Sequence, residues 1–90
     1  MKLKGTYVIK EIAGETVAIR VNNDIADLRG AISLKGSAET MFSALLSGAQ
    51  KEDIVKLLVE TYHVPEEAAK NDTEAFLTTL NSNNLLEGYM

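Results

Sequence analysis

Histidine occurs once in the chain, at His63, and cysteine does not occur at all. A lone imidazole can move a proton or hold a metal, but each task needs companions: a nucleophile with an orienting acid, or further donors at ligand spacing. None accompanies His63. It falls at the end of an apolar-periodic segment, where an imidazole can bond the last helical carbonyls. The lack of cysteine removes thiol catalysis, zinc-finger ligation and disulfides together. Glu52-Asp53 and Glu66-Glu67 are adjacent acids. Successive helical residues diverge by about 100°, so such pairs clamp a metal poorly and suit the positive end of a helix dipole. No GxxxxGKS/T, GxGxxG or HExxH pattern is present. The expectation is a protein without catalysis, metal or cofactor of its own.

Ninety residues, 46% hydrophobic and 24% charged, suffice for one domain spanning 1–90 and would starve a second core. Six glycines, one proline and no low-complexity run exclude collagen and disorder. No stretch approaches the roughly 18 uncharged apolar residues of a membrane span. Met1-Lys2-Leu3-Lys4 leads into no signal-peptide core, so no membrane partner and a cytoplasmic location are expected. The net charge of −4 is unevenly spread. Residues 1–51 carry seven Lys/Arg against five Asp/Glu, and residues 52–90 carry two Lys against eight Asp/Glu. An acidic C-terminal half repels phosphate backbones and favours basic or neutral partners.

The elements that must position any site follow from periodicity. Tyr7–Ile12 and Thr16–Val21 are rich in β-branched and aromatic residues and predict two strands around a hairpin turn at Gly14. Val17, Ile19 and Val21 alternate with Thr16, Ala18 and Arg20, which predicts that the former face inward. Asn22-Asn23-Asp24 reads as a turn and Ile25–Arg29 as loop; Gly30–Leu34 is a short third strand with Ile32 and Leu34 on one face. Three helices follow. Ser37 can cap the first and Gly48 end it, with Ala38, Met41, Phe42, Leu45 and Leu46 as its apolar stripe. The second opens at Lys51-Glu52-Asp53 and buries Ile54, Val55, Leu58 and Tyr62. The third runs from about Glu66, behind Pro65, to about Asn81. Leu85-Leu86 return to the sheet or fill a gap. The class is α+β: a three-stranded antiparallel N-terminal sheet, then three helices.

Two features suggest where a partner would sit. Projected at 100° per residue, Ala69, Thr73, Phe76, Leu77 and Leu80 form the core face of the third helix. Beside them runs a stripe of short side chains, Ala68, Asp72, Ala75 and Thr79, which leaves a shallow trough open to a backbone or to a neighbouring element of the fold. An acid on its rim is costly to bury unless paired. The third strand, Ala31 to Leu34, has neither Lys nor Pro to blunt it. As a sheet edge it would offer free N–H and C=O groups to a guest strand.

The hairpin "YVIKEIAGETVAI", the helical "MFSALLSGAQKEDIVKLLVETYHV" and the closing "EEAAKNDTEAFLTTLNSNNLLE" resemble the coenzyme PQQ synthesis protein D family, over about Tyr7 to Glu87. The resemblance is carried by Leu45-Leu46-Ser47-Gly48, by the Asp72-x3-Phe76-Leu77-x2-Leu80 spacing and by Asn84-Leu85-Leu86-Glu87. It implies a winged helix-turn-helix-like domain that recognises the leader segment of a ribosomally made, later modified precursor peptide. The leader would add as a strand beside Ala31, Ile32, Ser33 and Leu34, against Ala68, Asp72, Ala75, Phe76 and Thr79. The domain would then present it to a modifying enzyme, often a radical S-adenosylmethionine maturase. Two rival readings stand beside this one. A DNA-binding winged helix would need Lys and Arg on its recognition helix, whereas the third helix offers Glu66, Glu67, Asp72 and Glu74 against Lys70, so no nucleic-acid partner is expected. A dimerising adaptor could pair the open third-strand edge with a second copy, so a homodimer is the further partner considered.

Overall fold

The computed structural model of the chain describes residues 1–22 and 25–89, with side chains for all of these except residues 22–30. Asn23 and Asp24, at the centre of the expected turn, lie outside the described residues. The order is β1 (Lys2–Leu3), β2 (Thr6–Ile12), β3 (Glu15–Asn22), β4 (Ile25–Ser33), α1 (Ser37–Leu46), α2 (Lys51–Tyr62), α3 (Glu66–Ser82) and β5 (Leu86–Glu87). The α+β class stands, with three helices and antiparallel sheets. The three-stranded sheet, in order β2-β3-β4, is not strictly N-terminal: β1 precedes it and pairs with β5 in a sheet of its own, Lys2 opposite Glu87 and Leu3 opposite Leu86. Of Leu85-Leu86, Leu86 therefore enters a sheet, though a second one, while Leu85 lies just ahead of it.

The β2–β3 hairpin closes between Ile12 and Glu15, with Ala13 at φ 53° and Gly14 at φ 80°. Both central residues at positive φ make a primed turn, whose twist matches that of the strands. Cross-strand partners share a face, which places Tyr7, Ile9, Ala18 and Ile32 together. This is the core face. Tyr7 is 6% exposed and Ala18 fully buried, and the Tyr7 ring meets Phe42 edge-on at 5.6 Å. Val17, Ile19 and Val21 therefore point to the opposite face, contrary to the expectation from alternation. Ile19 is buried there, apart from the helix-packed core. The helices need a small residue at the centre of the sheet, and Ala18 rather than a branched neighbour meets that need. Burial pushes the Tyr7 hydroxyl above its ordinary value of 10.0, with the Arg20 charge opposing.

Ile25–Arg29, expected as loop, belongs to β4. Its pairing is irregular: β4 advances from Asp27 to Ile32 while β3 advances only from Arg20 to Ala18. The surplus residues bulge, which is why this stretch lacks a strand's alternation.

Phe42, Ile54, Leu58, Leu77 and Leu80 form the fully buried centre between the sheet and the helices. Helix α1 begins behind Gly36, which makes no side-chain cap, so the expected Ser37 hydroxyl cap is absent. It ends as expected at Gly48, at φ 92°, where the Gly48 N–H donates to Leu45 O and the Ala49 N–H to Ala44 O, a Schellman closure. Asn84 closes α3 in the same way, with bonds to Asn81 O and from Leu85 N–H to Leu80 O. Gln50 and Asp53 form a reciprocal capping box on α2. His63 ends α2 in the left-handed region through its own backbone N–H to Val59 O. Two stripe members depart from expectation: Leu46 and Tyr62 are 43% and 42% exposed. Each sits in a helix's last turn, where the packed face turns away from the core; Tyr62 instead meets Thr40, with 2.7 Å between the hydroxyls.

Candidate functional site

The ladder dictates which backbone groups of β4 are free. The Leu34 N–H donates to Thr16 O, making Thr16 and Leu34 a hydrogen-bonded pair. In an antiparallel ladder such pairs alternate, so Ile32 also points its N–H and C=O toward Ala18 on β3. Ser33, between them, points its N–H and C=O away from β3, and Ala31 follows on the same side. Strand β4 is the last in its sheet, so these groups face open space. The side chains of Ala31 and Ser33 are exposed, Ile32 is half-buried against the core and Leu34 is 4% exposed.

Beside that edge lies an open groove of about 460 Å³. One wall is Ala31, Ile32 and Ser33. The other is the C-terminal end of α3 with the turn behind it: Thr79, Leu80, Asn83 and Leu85. Among the described residues, its lining carries no ionisable side chain. Two of its polar groups are already engaged with α3. The Thr79 hydroxyl donates to Ala75 O at 3.0 Å, and the Asn83 side-chain amide donates to Thr79 O at 2.8 Å. The groove thus presents an unpaired strand edge, an aliphatic wall of Leu80 and Leu85, and neutral polar groups. Such a lining can take an extended peptide by backbone pairing and hold an apolar side chain.

Of the residues singled out from the sequence, Ala31, Ile32, Ser33 and Thr79 meet in this groove. Leu34 adjoins it, with its side chain in the core and its N–H engaged by Thr16. Ala68, Asp72, Ala75 and Phe76 lie earlier on α3 and do not line it. Asp72 and Ala75 are exposed, and Ala68 is half-buried. Phe76 is half-buried and packed against the core. Three lining residues escape the sequence reading. Asn83 could have been found, since it continues the Ala68, Asp72, Ala75, Thr79 stripe one helical step further. Leu80 is absorbed there into the core face. Leu85 has no periodic neighbour to betray it.

A family model for coenzyme PQQ synthesis protein D matches residues 15–86. No curated protein matches the chain. Among solved structures the chain is similar to TbiB1 in complex with the TbiA(beta) leader peptide, at 27% sequence identity and a TM-score of 0.77. The similarity covers 100% of this chain and 99% of that one.

Proposed function

Because the chain belongs to the coenzyme PQQ synthesis protein D family, we propose that it is a non-catalytic, cytoplasmic module that captures the leader segment of a ribosomally made precursor peptide. The leader adds as a strand to the free edge of β4 and is presented to a peptide-modifying enzyme, such as a radical S-adenosylmethionine maturase. The observation that carries this reading is the groove between the outward backbone of Ala31 and Ser33 and the end of α3. The likeness to a protein solved with a leader peptide supports it. Small outward side chains at Ala31 and Ser33 leave a guest backbone room to approach, and Leu80 with Leu85 offers an apolar seat.

In this reading residues 1–90 act as one domain of winged helix-turn-helix type, with the β2–β3 hairpin as wing and α2–α3 as the helix pair. Helix α3 has four acids against Lys70, which disfavours phosphate and leaves peptide as the guest. The test is calorimetric titration with leader segments of ribosomally made precursor peptides, on the parent and on Ser33→Pro. Proline there removes the outward N–H and obstructs the guest without touching the β3 ladder. Binding by the parent and strong weakening in the variant are expected. Equal affinity would place the guest elsewhere.

A further inference from the structure

The sheet has a second free edge. Strand β2 pairs with β3 alone. The two-residue turn makes Ile12 and Glu15 a hydrogen-bonded pair, and alternation then commits Lys10, Val8 and Thr6 to β3. The Leu34–Thr16 bond agrees, since it shows Thr16 directed at β4 rather than β2. Tyr7, Ile9 and Glu11 therefore direct their N–H and C=O groups outward. Among the described residues no hydrogen bond reaches them from that side. Unlike β4, β2 runs its full length in unbroken register, Thr6 to Ile12. It contains no proline and no bulge. Its one protective lysine is Lys10, and its far end exposes Ile12 at 45%.

We propose that this edge is a self-association surface, on which two copies of the chain pair β2 with β2 antiparallel about a two-fold axis through Ile9. Outward residues must oppose outward residues, which leaves five symmetric registers, with the axis through Tyr7, Val8, Ile9, Lys10 or Glu11. Those through Val8 and Lys10 leave one end of the strand unpaired, and the latter sets Lys10 against its own copy. An axis through Tyr7 overlaps only the start of the strand. An axis through Glu11 sets that carboxylate against its own copy. The axis through Ile9 overlaps the whole strand and opposes Thr6 to Ile12, Tyr7 to Glu11 and Val8 to Lys10. In that register Glu11 lands beside the other copy's Tyr7, whose neighbour across the hairpin is Arg20. Glu11 and Arg20 are both exposed and share that face, so opposite charges meet at both ends of the pairing. The two three-stranded sheets join into one, with β4 at each outer edge, and the leader groove stays open.

Edge pairing alone buries little side-chain surface, so the dimer is weak: monomer near ~10 µM and dimer approaching ~1 mM, at low salt. Sedimentation equilibrium across that range tests it. Glu11→Arg is expected to raise the dimer Kd at least tenfold, Arg20→Glu likewise, and the double swap to restore the parent value. Should Arg20→Glu fail to fold, Glu11→Pro takes its place, since it removes an outward donor from an exposed position; monomer throughout is then the expected result. A parent that stays monomeric at all concentrations overturns the proposal. So does a dimer indifferent to these variants, or one abolished by Ser33→Pro, which would assign the contact to β4.

Discussion

Leu77 and Phe76 are neighbours on α3, and a hundred-degree step separates their fates. Leu77 is fully buried, while Phe76 is half-buried at the border of the core. Leu77→Ala is expected to cost about 2–5 kcal/mol, a large share of a small domain's stability. Phe76→Ala should cost less, despite its larger side chain, because part of the ring already meets water. Urea denaturation of both variants checks the order, and a reversed order would mean that α3 is rotated from the phase described. Tyr7 ties stability to alkaline pH. Its pKa is raised on folding, mainly by burial, so its contribution is complete below pH 10.0 and is lost as pH climbs through the raised value. Melting curves should show the parent losing stability across pH 10 more steeply than Tyr7→Phe, which keeps the ring against Phe42 and has no proton to lose. Asp72 is exposed on α3, ahead of the groove. Asp72→Asn should accordingly change leader affinity by less than about twofold, an effect that added salt erases. A larger, salt-resistant loss would bring the guest further along α3 than the groove extends.

At the scale of elements, the hairpin turn carries a correctable strain. Ala13 holds φ 53°, a region that asparagine tolerates better, and Asn-Gly is the preferred pair for this turn. Ala13→Asn is expected to raise stability by roughly 0.5–1 kcal/mol, read as a higher melting temperature. The helices were legible because their repeat is long and one-sided. Met41, Phe42 and Leu45, then Ile54 and Leu58, then Ala69, Thr73, Leu77 and Leu80, recur at helical spacing, and all are buried. The strands were half legible. Their existence followed from β-branched runs, but both faces of β2 and β3 are apolar, with Val8 beside Ile9 and Ala18 beside Ile19. A period of two cannot then say which set the helices will cover. Strands β1 and β5, two residues each, are too short to have a period at all. They are specified by a partner most of the chain away.

For the molecule as a whole, charge and groove are decoupled. The acids crowd residues 52–90, yet among the described residues the groove lining has no ionisable side chain. Leader affinity is therefore expected to move less than about twofold between 50 and 500 mM salt, whereas binding through the acidic helices would fall steeply. Titration at both salt concentrations separates the two. The candidate site was legible in part for the same reason. An open edge and a stripe of short side chains are local patterns, so Ala31, Ile32, Ser33 and Thr79 could be named. Which end of α3 meets the edge depends on how helix and sheet cross, and no spacing records that.

The broken register of β4 bears on time as well as place. The surplus residues between Asp27 and Ile32 leave only the strand's last few residues in regular geometry beside the groove. A guest zipped along so brief a ladder has few bonds to break before it departs. Its dissociation should be rapid, with a lifetime toward the millisecond end of the range seen for protein complexes. Stopped-flow displacement measures that lifetime directly. A module of this kind would pass its cargo on quickly, and one copy could serve many peptides in turn.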